Sequence, residues 1–276
     1  MENRPEQSLL GKESPYCHQY DPSLLFPIPR QQKRTELGIA ENELPFHGVD
    51  VWTAYELSWL NEQGKPEARM AQFTFAADSP NLIESKSFKL YLNSLNGTHF
   101  GSENDVISHL ELDLTQACGA PVRVEMISLE TPQTLIAHPP HAKCLDDLPI
   151  EVSHYQVKPD LLQAQPHLPK VGERLYSHLL KSNCLVTGQP DWGTVVIEYE
   201  GAPIRHDHLL AYIVSFREHN EFHEQCVERI FTDILTICQP EKLLVYARYV
   251  RRGGLDINPY RANFEVTFDL SRLVRQ

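Results

Sequence analysis

The chain has 276 residues, of which 41% are hydrophobic and 22% charged, which is ordinary for a folded protein of one or two domains. Its formal net charge of −12 argues against stable docking on the phosphate backbone of a nucleic acid, which needs clustered Lys and Arg. The sequence contains no run of about 18 apolar residues, so no membrane-spanning helix is predicted. The N-terminus has no signal-peptide pattern, so a cytoplasmic location is expected.

The cysteines form no CxxC pair and match no zinc-ligand spacing. Without a secretory signal we expect reduced thiols and no bound metal. The six residues are Cys17, Cys118, Cys144, Cys184, Cys226 and Cys238.

The first half predicts an extended lead-in followed by strands and helices. The first helix has an apolar stripe at helical spacing, and so does the second. The lead-in is predicted at residues 1–45. Two strands follow at 50–60 and 70–77, then two helices at 83–95 and 103–118, and then two strands at 122–129 and 150–157. The two stripes are Phe88, Tyr91, Leu92 and Leu95, then Ile107, Leu110, Leu114 and Ala117.

The second half predicts the same order after a linker rich in proline and glutamine. The last predicted strand alternates apolar and polar residues cleanly. The linker is predicted at residues 158–170. Two strands follow at 174–181 and 194–200, then two helices at 209–216 and 227–238, and then two strands at 243–250 and 264–270.

Each half therefore predicts a ββααββ unit, an α+β fold of antiparallel sheets with helices on one face. Tyr91 and Tyr212 begin similar strings, about 121 positions apart (212 minus 91), which indicates duplicated domains. The predicted domains are 46–157 and 171–276, joined by the linker at 158–170 and preceded by the lead-in at 1–45.

The first candidate site is the glycine- and proline-containing loop Ser182–Gly193. Loops on a rigid scaffold often carry catalytic groups. Cys184 is a candidate nucleophile if its thiol is activated, and Asp191 a candidate general acid or base. The alternative is a packed cysteine in an ordinary turn.

The second candidate is the string Glu84–Tyr91 at a predicted helix start. Ser85 is predicted as the N-cap, and Lys86 and Lys89 lie off the apolar stripe. Such an arrangement favours phosphate binding, although a solvated helix face has the same pattern.

Two shorter segments also carry chemistry. His223 can transfer protons, and Glu224 can accept paired N–H bonds from a guanine-like edge. The string Arg251–Gly254 suits a phosphate, although no GxGxxG opens a βαβ unit. Capping residues and a basic turn are the alternative interpretations.

Together these segments, spread over residues 84–260, closely resemble the NADPH-dependent 7-cyano-7-deazaguanine reductases of queuosine biosynthesis. The string E-S-K-S-x-K-x-Y is the marker of that family, and the length matches its long, two-domain branch. The resemblance implies a tandem tunnelling fold made of ββααββ units. It also implies NADPH as cofactor and four-electron reduction of a nitrile through a covalent thioimide.

The resemblance also implies roles for individual residues. The catalytic residues are Cys184 as nucleophile, Asp191 as proton donor and His223 as a further proton-handling group. The substrate-binding residues are Ile83, Glu84, Ser85, Phe222, His223 and Glu224. The cofactor-binding residues are Ser85, Lys86, Arg252 and Gly253.

The marker string occurs only in the first half, and the Cys–Asp loop and His–Glu pair only in the second. We therefore expect one composite site per chain, built from both halves. Three other interpretations stay open: a zinc- or pterin-type tunnelling-fold enzyme of the GTP cyclohydrolase kind, a purine-binding protein without activity, and a cysteine-dependent nitrile hydrolase. Sheet edges invite pairing, and by family analogy a homodimer is expected.

Overall fold

The computed structural model describes Gln7 and residues 17–41, 43–132, 134–268 and 270–276. The chain divides into two compact units. Unit 1 consists of Met1–Glu36, Val49–Gln133 and Arg251–Ile257, and unit 2 of Leu37–Gly48, Thr134–Val250 and Asn258–Gln276. Both combine helices with mainly antiparallel strands, so the predicted α+β class is confirmed. No helix within the described ranges is long and apolar enough to cross a bilayer.

The elements that lie in unit 1, or begin at its edge, include predicted strands and helices in the predicted order and three short elements, β1, α1 and β4, that were not predicted. They are β1 (Pro27–Pro29), α1 (Gln31–Glu36), β2 (His47–Leu60), β3 (Pro66–Ala76), β4 (Asn81–Ile83), α2 (Ser85–Ser94), α3 (Glu103–Cys118) and β5 (Val122–Ile127). The antiparallel ladder runs β5-β3-β2, and β1 pairs with β4.

Aromatic side chains fill the core of unit 1. Because side chains alternate along a strand, Phe73 and Phe75 share the buried face of β3. The ring of Phe88 on α2 lies 5.0 Å from that of Phe73, centroid to centroid, and 5.3 Å from that of Trp52. The predicted stripe of α2 is thus confirmed as core. On α3 the buried stripe runs instead through Val106, Leu110, Leu114 and Cys118.

Unit 2 repeats this arrangement. Its elements are β6 (Leu135–Ile136), β7 (Lys143–Cys144), β8 (Val171–Asn183), β9 (Pro190–Gly201), α4 (His206–Val214), α5 (His223–Cys238), β10 (Lys242–Tyr249), β11 (Leu255–Ala262, of which Asn258 onward belongs here) and β12 (Arg272–Leu273). The ladder runs β11-β10-β9-β8-β7, antiparallel except for the β7–β8 pair. Residues of α4 and α5 such as Leu209, Ile213 and Phe231 are buried in its core.

The two helix pairs are held by matching hydrogen bonds. In unit 1 the Tyr91 hydroxyl donates to Asp113 at 2.6 Å, and in unit 2 Tyr212 donates to Asp233 at 2.6 Å. Each tyrosine carbonyl also accepts a serine hydroxyl at 2.6 Å. These equivalent contacts support the internal repeat that the tyrosine strings indicated.

The segments that precede each unit's helix pair also correspond. Short 3-10 helices occur at Pro22–Leu24 and Pro159–Leu161. The residue before each one donates its backbone N–H to a helix serine, Asp21 to Ser94 and Lys158 to Ser215. The pattern x-Pro-x-Leu-Leu occurs in both segments, at residues 21–25 and 158–162, and could have predicted this correspondence. Residues 158–170 therefore pack within unit 2, and the described part of 1–45 contains β1 and α1; the predicted domain boundaries stay a prediction.

Two predicted strands are wrong. Residues 150–157 form no ladder, since the place beside β8 is taken by β7. Residues 264–268 alternate in exposure as predicted but pair with no strand, and Asp269 lies outside the described residues. Their alternation has another cause, because Phe268 packs on Tyr260 with centroids 5.0 Å apart. The last long strand is instead β11, for which the sequence analysis predicted no strand.

Candidate active site

The Cys184 loop joins β8 to β9 in unit 2, where the sequence predicted a loop. The Cys184 N–H donates to the Gln189 carbonyl at 2.8 Å, and the Gly188 N–H donates to the Cys184 carbonyl at 3.0 Å. Gly188 has a φ of +66°, a left-handed conformation that favours glycine. The loop is therefore a tight turn with the cysteine at its first position.

A segment just before α5 is hydrogen-bonded to this turn. The Asn183 N–H donates to the His219 carbonyl at 2.8 Å, and the Glu221 N–H donates to the Asn183 carbonyl at 3.1 Å. The Asn183 amide also donates to Asn220 at 2.9 Å. These bonds fix the start of α5 next to the end of β8.

Asp191 and His223, predicted as proton-handling groups, come together as a consequence. Asp191 is the second residue of β9, opposite Ser182, and His223 is the first residue of α5. Their Oδ2 and Nε2 atoms lie 3.5 Å apart, and the Asp191 side chain is only 4% exposed. A buried carboxylate within reach of an imidazole is suited to passing protons.

Two cysteines of unit 2 differ in position. Cys184, the first residue of the turn, is buried with 9% of its surface exposed, whereas Cys226 on α5 is fully buried. Burial raises the pKa of the Cys226 thiol well above its ordinary value, which keeps it neutral and unreactive. The position of Cys226 is therefore that of a packing residue.

Glu221 forms an ion-pair network that sequence analysis missed. Arg229 donates to both of its carboxylate oxygens at 2.6 and 2.9 Å, and His219 Nε2 lies 2.9 Å away. Burial alone would raise the pKa of Glu221, but the bonds from Arg229 and His219 outweigh it and hold the pKa at about 2. The spacing of Glu221 and Arg229 gave no signal, because one residue precedes the helix and the other lies within it.

Phe222 and Glu224 flank His223 at the start of α5. Phe222 is half-buried, and its N–H donates to Gln225 Oε1 at 3.4 Å. Glu224 is buried in the first helical turn, where the helix dipole favours a negative charge.

In unit 1 the N-cap of α2 is Glu84, so the prediction of Ser85 as N-cap is wrong. The fully buried Glu84 carboxylate accepts the N–H groups of Lys86 at 2.7 Å and Ser87 at 2.9 Å. The Glu84 side chain is long enough to accept both N–H groups, and the helix therefore begins at Ser85. Burial raises the pKa of Glu84, and the backbone bonds oppose that rise. The helix N–H groups of Lys86 and Ser87 are therefore already bonded.

The basic turn Arg252–Leu255 is a two-residue hairpin. Arg252 and Leu255 exchange backbone bonds of 2.8 and 3.1 Å, and Gly253 and Gly254 have φ values of +59° and +81°. Two positive φ values define a type I′ turn, which explains the glycine pair. The Arg251 guanidinium lies 4.6 Å from the Tyr55 ring centroid.

The structure thus assigns the predicted site residues to two groups. Unit 2 contains Cys184, Asp191, Phe222, His223 and Glu224, and unit 1 contains Ile83, Glu84, Ser85, Lys86, Arg252 and Gly253. No cluster of three or more His, Cys, Asp or Glu side chains suited to a metal ion occurs within the described residues. Fold and site together define an α+β protein with a cysteine turn beside a carboxylate–imidazole pair.

Comparison with known proteins identifies the family. Residues 16–126 match the model described as "Nitrile reductase, 7-cyano-7-deazaguanine-reductase N-term", and residues 190–266 match that of "QueF-like protein". A protein of Hydrogenovibrio crunogenus named NADPH-dependent 7-cyano-7-deazaguanine reductase is 63% identical over 271 residues, 98% of this chain and 97% of its own. Relatives with the same name from Cupriavidus necator and Ralstonia nicotianae are each 56% identical over 99% of this chain, and 99% and 100% of their own lengths are covered. The chain belongs to the NADPH-dependent 7-cyano-7-deazaguanine reductase family.

Proposed function

We propose that this chain reduces the nitrile of 7-cyano-7-deazaguanine to an aminomethyl group with NADPH, a step of tRNA queuosine biosynthesis. Relatives that carry this name match the chain over almost its whole length. The observation that carries the proposal is the turn headed by Cys184, together with Asp191 on the strand that follows it, 3.5 Å from His223. Thiol, acid and imidazole are the groups that covalent nitrile activation requires.

Cys184 acts as the nucleophile. A nitrile is a poor hydride acceptor, and covalent addition divides one difficult step into easier ones. The Cys184 thiol adds across the C≡N bond: its sulfur bonds to the carbon, and its proton passes through Asp191 to the nitrogen. The product is a thioimide, a C=N group that accepts hydride more readily.

Cofactor chemistry and proton transfer then complete the balance. When bound, NADPH would supply hydride, two equivalents per nitrile, and the Cys184 sulfur leaves the carbon between the two reductions. Two protons are taken up in all, and the second nitrogen proton comes from His223. Cys184 is regenerated as a thiol, so the sum is one nitrile, two NADPH and two protons to one amine and two NADP.

Four residues of unit 1 hold the cofactor in this proposal: Ser85, Lys86, Arg252 and Gly253. Lys86 and Arg252 are cationic and suit phosphate oxygens. Gly253 has a left-handed backbone, and apart from its chain neighbours no described residue has an atom within 4 Å of the position that a side-chain carbon would take there. This leaves room for close approach of a ligand. The residues therefore fit a phosphate-bearing nucleotide.

Substrate recognition is assigned to Ile83, Glu84, Ser85, Phe222, His223 and Glu224. Ile83 is 2% exposed and half-buried Phe222 is apolar, which suits a flat heterocycle. Glu84 and Glu224 supply carboxylates, and a carboxylate oxygen retains a second lone pair after accepting one N–H bond. Paired N–H groups of a purine-like edge match such acceptors.

The finer architecture and assembly belong to the same proposal. Unit 2 has the order ββααββ through β8, β9, α4, α5, β10 and β11, which supports a tandem tunnelling fold. A homodimer, a cytoplasmic location and no direct role for nucleic acid stay predictions.

Turnover distinguishes this function from its alternatives. Purified protein is incubated with 7-cyano-7-deazaguanine and NADPH, and product mass and NADPH oxidation are measured together. We expect the aminomethyl product and two NADPH oxidised per product. A carboxylic acid without NADPH oxidation would indicate a nitrile hydrolase, stoichiometric zinc with no turnover a cyclohydrolase-type enzyme, and tight binding without any product a purine-binding protein.

A further inference from the structure

Tyr249, at the end of β10, stacks on the imidazole of His223. The two rings are 3.8 Å apart between centroids, and their planes differ by 4°. Aromatic pairs ordinarily prefer offset or edge-to-face arrangements, so packing around the pair must impose this geometry. We infer that Tyr249 is the positioning residue that fixes the ring plane of His223; the inference rests on the proposed proton-handling role of His223.

Gly193 on β9 leaves the space that Tyr249 occupies. The register of β9 and β10 places Gly193 opposite Tyr249. A side-chain carbon added at Gly193 would lie 3.1 and 3.2 Å from Cδ1 and Cε1 of the tyrosine ring, closer than ordinary contact. The phenol ring therefore packs on the backbone of β9 as well as on the imidazole.

The backbone of Tyr249 is also held. Its N–H donates to Asn258 Oδ1 at 3.2 Å, and Gln276 Nε2 donates to the same oxygen at 2.8 Å. With its side chain fully buried, Tyr249 has little freedom to change rotamer. The ring is thus a rigid surface against which the imidazole is aligned.

His223 needs such a surface because its second nitrogen is not oriented by the protein. Proton-transferring histidines are usually held through a hydrogen bond on the nitrogen that does not react. The Nδ1 atom of His223 is buried, and none of the described residues gives it a hydrogen bond. Stacking on Tyr249 therefore replaces the usual orienting hydrogen bond and directs Nε2 to Asp191.

The ring of Tyr249 matters here, and the hydroxyl does not. The buried Tyr249 hydroxyl makes no hydrogen bond of normal geometry with any described residue, although Ser182 and Cys226 lie close enough to affect its pKa. Burial raises the pKa of the phenol well above its ordinary value, so the hydroxyl stays neutral. Tyr249→Phe should keep the stack, whereas Tyr249→Leu removes the flat ring.

The experiment compares these two variants with the wild type in solution. The proton resonances of His223 are identified among the 13 histidines by their loss in His223→Gln. We expect the His223 ring protons to be shifted upfield by the tyrosine ring current in wild type and Tyr249→Phe, and to return downfield in Tyr249→Leu. We also expect kcat within about twofold of wild type for Tyr249→Phe. For Tyr249→Leu it should fall about tenfold or more, with a smaller change in KM and an altered pH profile.

Three results would overturn the inference: an unshifted His223 resonance in wild type, full kcat in Tyr249→Leu, or an equal loss of kcat in both variants. If Tyr249→Leu does not fold, the spectra of wild type and Tyr249→Phe still decide. The spectra need no turnover, so an inactive wild type would contradict the proposed function without affecting the test of the stack.

Discussion

In unit 2, two buried carboxylates near the cysteine turn differ in the side chains with which they pair. The buried Glu221 carboxylate is paired with Arg229 and stays charged down to about pH 2, while Asp191 lies beside an imidazole. Two carboxylates of similar burial therefore have different partners and different tasks. Glu221 fixes the segment before α5, and Asp191 is proposed to handle protons.

The Glu221 network should make stability depend on pH. The folded pKa of about 2 lies below the ordinary value of a glutamate, so the pair stabilises the protein above about pH 4.5. This contribution, on the order of 3 kcal/mol, should disappear as the pH falls from about 4.5 towards 2.

Urea unfolding of Glu221→Gln tests this expectation. At pH 7 the variant should lose roughly 3–5 kcal/mol, because Arg229 remains buried without its anion. The difference from wild type should shrink towards pH 2. The exposed Glu218→Gln is the matched control and should change little. A Glu221→Gln deficit that stays constant with pH would contradict the account.

Asp191 and His223 should act as one unit. Asp191→Asn keeps the shape of the side chain but removes the acid, and kcat/KM should fall roughly 10²–10⁴-fold. Asp207, a partly exposed residue whose side chain pairs with Arg205, supplies the control Asp207→Asn, with unchanged activity expected. In the double variant with His223→Gln the loss should be smaller than the sum of the two single losses in free energy. Strict additivity would mean that the two side chains work independently.

At the residue scale the sequence supplied candidate site residues but not their contacts. Cys184, Asp191 and His223 were selected from strings, but nothing in a string indicates that Tyr249 stacks on His223. Such contacts depend on strand register, which places Tyr249 opposite Gly193. The Glu84 cap was missed because a serine is the commoner choice and happened to follow it.

Among the elements, the hairpin at Arg252–Leu255 is the one proposed to contact the cofactor, and its local geometry makes that proposal testable. A side-chain carbon at Gly254 would lie 2.7 Å from the Glu56 carboxylate and 2.9 Å from Lys89 Nζ. Both are ends of flexible side chains, so the cost is displacement of the Lys89–Glu56 ion pair rather than of the backbone.

Gly254→Ala should therefore affect cofactor use more than stability. Gly64→Ala is a matched control, because Gly64 lies in the same unit with a φ of +79°, against +81° for Gly254, and has only an ordinary contact. Each variant should lose about 1–2 kcal/mol from left-handed strain. Only Gly254→Ala should raise the KM for NADPH, by about tenfold, and an unchanged KM would separate this turn from cofactor binding.

The helices were more predictable than the strands. Stripes such as that of α2 mark a buried face directly, since a helix satisfies its own backbone hydrogen bonds. A strand needs a partner that the sequence does not name. Residues 150–157 and 264–268 have suitable patterns but lack a partner, whereas β11 has one and was missed.

For the whole molecule, the matching contacts in the two units support duplication. Both the tyrosine–aspartate bonds and the segments that bind the helix serines recur. The tyrosine–aspartate correspondence was indicated by the Tyr91 and Tyr212 strings. The correspondence of the segments that bind the helix serines was not predicted, because the lead-in and the linker were interpreted by composition alone.

Association is the prediction that belongs to this scale. Sheet edges favour pairing with another chain, and by family analogy we expect at least a homodimer. Sedimentation equilibrium should give twice the chain mass of 31.7 kDa or a higher multiple. A mass of one chain at all concentrations tested would contradict the prediction.

The central claim is that Cys184 forms a covalent bond to the nitrile carbon. The most direct measurement is the intact mass of the protein after incubation with 7-cyano-7-deazaguanine in the absence of NADPH. Cys184→Ala serves as the test variant and Cys144→Ala, a half-buried cysteine of the same unit, as the matched control. The account predicts an adduct of the whole nitrile mass in wild type and Cys144→Ala and none in Cys184→Ala. An adduct that persists in Cys184→Ala, or its absence from a wild type that turns over, would contradict it.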